Sequence, residues 1–200
     1  EPNAADTLGR NTGVRVETIN IRRLTRAQIA NHLGTTVAQL PGAVDVVIGS
    51  PPCTQFSYSN RGGGGDIRDG LADVAKFLRI VTWLQPRYWV MENVPRLQRI
   101  FCEEIETSSR FRALVSAAAR GNPDALTVET VDLSCFGLPQ RRKRCFISNV
   151  GSLNDSQFRR NVQGGPQKTL GQVLDRLACL DGDGLVEDPN YNIRVPREAV

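Results

Sequence analysis

The spacing of apolar residues changes period several times along the chain, and each change marks an element. TGVRVETINI (12–21) alternates apolar and polar positions, which predicts a short strand. TRAQIANHLG (25–34) switches to helical spacing, with Thr25 as N-cap and Gly34 as a C-terminal stop. VDVVIG (44–49) is a β-branched run without polar alternation, the pattern of a strand buried on both faces. LADVAKFLRIVTWL (71–84) sets Leu71, Val74, Leu78 and Val81 on one helix face. RYWVMEN (87–93) predicts a strand and 96–119 a helix. LTVETVDL (126–133) and RCFISNV (144–150) predict two more strands, and TLGQVLDRLACL (169–180) a last short helix. GGGG (62–65) and NVQGGPQK (161–168) read as loops, and no internal repeat is present.

Strands alternating with helices predict an α/β fold, a mostly parallel sheet with helices on both faces. Ligands of such sheets sit outside the carboxyl ends of the strands. There the sequence places Asn20, Cys53, and the pair Glu92 and Asn93.

Two hundred residues make one domain, and 40% hydrophobic with 23% charged residues is ordinary for a globular chain. A net charge of +4 permits a polyanionic partner without demanding one. The five cysteines contain no C-x-x-C pair, so neither a disulfide framework nor a metal site is expected, and reduced thiols point to an intracellular setting. No membrane span is expected, because no apolar run approaches roughly 18 residues. The chain opens on the polar EPNAADTLGR, which is no signal peptide, and the single histidine, His32, is given no role.

VDVVIG runs directly into SPPC, and two consecutive prolines end the strand and stiffen the path of Cys53. An arbitrary cysteine here is a structural thiol; its neighbours in sequence decide otherwise. ENV (92–94) puts a carboxylate immediately after a strand, and QRRKR (140–144) carries Arg142 and Arg144, which share a side if extended. A thiolate nucleophile, a carboxylic acid to protonate a ring nitrogen, and guanidinium groups to hold oxygen suit a reaction on an electron-poor heterocycle bound to phosphate. Each element alone is weak, and QRRKR also reads as a solvated basic patch.

Together, in this order and spacing, they resemble the DNA cytosine-5 methyltransferase family. GSPPCTQFS resembles its proline-cysteine motif, ENV its glutamate motif and QRRKR its Q-x-R-x-R motif; DIRDGL (66–71) resembles the short motif between the first two. EPNAADTLGRN resembles the second cofactor motif and TINIRRLT (18–25) the third, with Asn20 where an aspartate is usual. The resemblance implies a Rossmann-like methyltransferase fold using S-adenosyl-L-methionine. It implies Cys53, Glu92, Arg142 and Arg144 as catalytic residues, and Glu1, Asn20, Ile21, Pro51 and Leu71 as cofactor contacts. Ser57, Arg61, Asn93 and Gln140 become the expected contacts to double-stranded DNA, residues 54–70 a mobile active-site loop, and 151–200 the approach to a target-recognition region. Methylation of carbon 5 of a flipped-out cytosine, as in bacterial restriction-modification systems, is the implied activity. The glycine-rich first motif and first strand are missing from the chain, so a further segment or subunit is expected to supply them together with target recognition. Two alternatives stand beside this reading: a tRNA cytosine-5 methyltransferase, and a non-catalytic nucleic-acid-binding fragment.

Overall fold

A computed structural model describes residues 2–57, 65–122, 125–155, 169 and 171–172. Four strands, β1 (Val46–Gly49), β2 (Tyr88–Asn93), β3 (Thr127–Asp132) and β4 (Lys143–Ser148), form one sheet in the order β1-β2-β4-β3. β1 pairs parallel with β2, whereas β4 runs antiparallel to both of its neighbours. Three of the four strands thus share a direction. The reversal of β4 follows from its connection, because residues 133–142 are too few for a crossover helix. They make a 3-10 turn, Leu133–Phe136, closed by Gly137 at φ 88°.

Five helices are described: α1 (Pro2–Thr12), α2 (Arg26–His32), α3 (Ile67–Leu84), α4 (Arg96–Thr107) and α5 (Ser109–Ala118). α2 begins as the sequence predicts, Thr25 and Gln28 forming a reciprocal capping box. α3 starts earlier than its apolar stripe, because the Asp66 carboxylate accepts the Arg68 and Asp69 amides. Residues 67–70 are therefore the first helical turn and not loop. The stripe Val74, Phe77, Leu78 and Val81 is buried against Trp89, Met91 and Ile147. Burying each such side chain contributes about 1.5–3 kcal/mol. Phe77 meets Trp89 edge-on, with ring centroids 6.0 Å apart. It also lies under Gly49, where a Cβ would come within 2.3 Å of its ring, so the end of β1 requires glycine.

Three expectations are corrected. The helix predicted over 96–119 is two helices, because Ser108 turns extended (φ −112°, ψ 106°) and its hydroxyl caps the Phe111 amide. The apolar period passes through the break because Leu97, Ile100 and Phe101 face the same core as Phe111 and Val115. The strand predicted over 12–21 does not form: Thr12 ends α1, and residues 13–20 have no ladder partner. Alternation supplies a strand-like pattern, yet a strand exists only where another backbone takes its hydrogen bonds. Finally, β1 is not buried on both faces. Val47 packs towards the core with Trp89, while Val46 and Ile48 point away, Ile48 being 78% exposed. α3, α4 and α5 all pack on the Trp89 face. The helix predicted over 169–180 lies outside the described residues, apart from Thr169, Gly171 and Gln172.

Candidate active site

The elbow after β1 is fastened from the neighbouring strand. Asn93, 1% exposed at the end of β2, donates its side-chain amide to the Pro51 carbonyl at 2.9 Å and accepts the Val94 amide at 2.9 Å. Pro51 is buried, and Cys53 stands exposed two residues later. The Cys53 carbonyl accepts the Phe56 amide at 2.9 Å, closing a turn that buries the Phe56 ring completely. Asn93 is thus committed to the elbow and does not stand free at the rim for DNA.

Glu92, the preceding residue, points to the opposite face and is gripped from two sides. Ser50 Oγ donates to its Oε2 at 2.7 Å, and Arg144 Nε lies 2.8 Å from its Oε1. The register explains the second contact: Glu92 faces Phe146 across the β2–β4 ladder, so Arg144 is a diagonal neighbour on one face. Residues from SPPC, ENV and QRRKR therefore meet at one sheet end. Ser50 is a member that sequence reasoning missed; a hydroxyl at the carboxyl end of a strand was its only signal. Arg142 precedes β4, and its carbonyl accepts the Leu133 amide at 2.9 Å. Its exposed side chain forms no ion pair or hydrogen bond among the described residues. Arg142 and Arg144 thus part ways, one at the open rim and the other on Glu92. Gln140 is exposed in the same connection.

Asn20 caps the 3-10 turn Ile21–Arg23, its side-chain oxygen accepting the Arg22 amide at 3.0 Å. Arg22 then bonds to Asp69 and Asp73 of α3. This brings Asn20 and the exposed Ile21 to the end of α3 that carries half-buried Leu71. Ser57 is half-buried beside the elbow, while Glu1 and Arg61 lie outside the described residues. Among the described residues no three His, Cys, Asp or Glu side chains converge as metal ligands. None of the described helices is long and apolar enough to cross a membrane.

Two thiols, Cys145 and Cys102, are held protonated. Burial, with smaller contributions from Cys102 and Glu92, pushes Cys145 up to about 12. Burial and then the carboxylates of Glu106 and Glu103 push Cys102 up.

The model of the C-5 cytosine-specific DNA methylase family matches residues 1–175. The chain belongs to this family. Among its relatives, the DNA (cytosine-5-)-methyltransferase M.ApeKI of Aeropyrum pernix is 28% identical over 202 residues, covering 87% of this chain and 41% of that protein. The type II methyltransferase M.AgeI of Thalassovita gelatinovora is 31% identical over 156 residues, 77% of this chain and 34% of that protein. This C-5 cytosine methylase chain therefore spans well under half the length of either. The crystal structure of the S. pombe Dnmt2 methyltransferase aligns with 84% of this chain and 46% of its own, at a TM-score of 0.51 and 16% identity, which shows the methyltransferase fold.

Proposed function

We propose that the full-length protein transfers a methyl group to carbon 5 of cytosine in double-stranded DNA, with Cys53 as the covalent nucleophile. The observation that carries this reading is the grip on Glu92, fixed between Ser50 and Arg144 at the sheet end where Cys53 is presented. A carboxyl group so fixed can meet a ring nitrogen without reorganising, which is where electrostatic catalysis gains most.

The target base leaves the duplex, since its ring is unreachable in the stack. Cys53, as its thiolate, forms a bond from Sγ to carbon 6, and the ring electrons shift towards nitrogen 3, where Glu92 in its protonated form provides the proton. Arg142, exposed at the rim, holds the base's carbonyl oxygen, and Arg144 keeps Glu92 aimed. Carbon 5 is then electron-rich and accepts the methyl group that S-adenosyl-L-methionine supplies when bound. Loss of the carbon-5 proton to water, departure of Cys53 as thiolate and return of the nitrogen-3 proton to the Glu92 carboxylate restore the neutral aromatic ring. The chain's own residues fit such a cofactor: Asn20 offers an amide to the adenine edge, Ile21 and Leu71 offer apolar contact, and Pro51 lines the strand end. Glu1 is assigned the ribose hydroxyls by its place in the second cofactor motif. Ser57, Arg61 and Gln140 are assigned to the DNA backbone.

Trapping on DNA containing 5-fluorocytosine tests the reading, because fluorine cannot leave carbon 5 as the proton does. The full-length protein is expected to form a stable adduct, and Cys53→Ser none. An adduct that persists in Cys53→Ser would sink the assignment.

A further inference from the structure

The first turn of α3 is held from two directions. On one side Arg22 spreads its guanidinium over two carboxylates. Its Nε and Nη2 reach Asp73 Oδ1 and Oδ2 at 2.5 and 2.8 Å, and its Nη1 reaches Asp69 Oδ1 at 2.6 Å. Nη2 also bonds to the Asp69 carbonyl at 3.0 Å. On the other side sits the Cys53 turn. The free oxygen of Asp69, Oδ2, accepts Gln55 Nε2 at 3.5 Å, and Gln55 is two residues from Cys53. Between the two carboxylates Gly70 is buried, and a Cβ there would fall 2.6 Å from the Phe56 ring and 2.9 Å from Gln55 Cβ.

We propose that Arg22 is a positioning residue for the Cys53 turn, acting through Asp69 and Gln55. Asp69 is the shared member: one oxygen faces Arg22 and the other faces the turn. Bidentate capture by a rigid fork fixes the plane of the Asp73 carboxylate and the orientation of Asp69, which a flexible ammonium would not do. The Arg22 hydrogen bond also holds the Asp69 carboxyl below the usual carboxylate range, so Asp69 stays an acceptor for Gln55. The segment Asn20–Arg23 and the nucleophile's turn thus rest on one helical turn, and displacement of the first is transmitted to the second. The inference rests on the reading of Cys53 as the reacting group.

The test is hydrogen–deuterium exchange of the Phe56 amide, which bonds to the Cys53 carbonyl at 2.9 Å, in the full-length protein. In Arg22→Ala that amide is expected to exchange at least about threefold faster, and Arg22→Lys should restore part of the protection. Turnover should fall about tenfold in Arg22→Ala with KM for DNA unchanged. Faster exchange confined to residues 20–24 and 69–73, with Phe56 unaltered, would overturn the proposal by making the clamp purely local. If Arg22→Ala does not fold, Gln55→Ala carries the measurement, and unaltered Phe56 exchange there overturns it equally. A wild-type protein that transfers no methyl group would sink the methyltransferase reading while leaving the exchange comparison intact.

Discussion

Glu92 and Arg144 stand 2.8 Å apart on one face of two antiparallel strands, a diagonal pair set by the register that puts Glu92 opposite Phe146. A shift of β4 by one residue would turn Arg144 to the other face and leave Glu92 without its cation. The pair is therefore a readout of correct sheet assembly as well as a feature of the site.

Glu92→Gln separates the two roles. Glutamine keeps one oxygen to accept from Arg144 or Ser50, so the fold should hold. It cannot give a proton to a ring nitrogen, and turnover should fall by about a hundredfold or more. Single-turnover methylation alongside thermal melting checks this. A drop in melting temperature without a specific loss of rate would make the pair structural.

Asn93→Ala should destabilise the elbow. The Pro51 carbonyl would lose its donor and the Val94 amide its acceptor in a buried setting. A buried polar group left unsatisfied costs about 1–3 kcal/mol, which denaturant unfolding would register as a lower midpoint with an unchanged slope.

Cys145 makes stability pH-dependent on the alkaline side. Its folded-state value is raised to about 12 by burial, whereas an unfolded thiol titrates near about 8.5. A raised folded value means stability is fully present below the unfolded value and is lost as pH climbs through this window, because the unfolded chain releases its proton first. Cys145→Val should flatten that alkaline decline in stability measured between pH 8 and 10. An unchanged slope would show that another group is responsible.

Gly70→Ala and Gln85→Gly should act against simple helix propensity, in opposite directions. Alanine within a helix ordinarily gains about 1 kcal/mol over glycine. At Gly70 the new Cβ would meet the Phe56 ring at 2.6 Å, and overpacking of about 1–3 kcal/mol wins. Gln85 ends α3 in the left-handed region at φ 43°, where a side chain costs about 1–2 kcal/mol, so glycine should raise the melting temperature. Calorimetry on the two variants decides both signs.

The legible and illegible parts of this chain divide along sequence distance. α3 and β2 were readable because their own periodicity reports the face they bury. The meeting of SPPC, ENV and QRRKR was readable because each sits at a strand end and their order matches a known family. Ser50 and the Arg22–Asp69–Asp73 clamp were not, since their partners lie 42, 47 and 51 residues away and no local pattern marks them. Residues 12–21 misled for the complementary reason: their alternation is real, but among the described residues no strand lies alongside to pair with it. Likewise the apolar run of β1 specifies an extended backbone and leaves open what covers Ile48.

β4 is the last described strand in sequence, yet it occupies an interior place between β2 and β3. A growing chain can build β1, α3, β2 and the two helices that follow before residue 143 exists. It cannot join β2 to β3, and it cannot bring Arg144 to Glu92. Such late, long-range closure belongs to the slow steps of folding. The consequence is a built-in order of maturation: the elbow that presents Cys53 can be shaped early, but Glu92 acquires a counter-charge only when the sheet is sealed. A nascent or proteolysed chain ending before Arg144 would present an exposed Cys53 while Glu92 still lacks its cation, so the two halves of this sheet end are completed at different times.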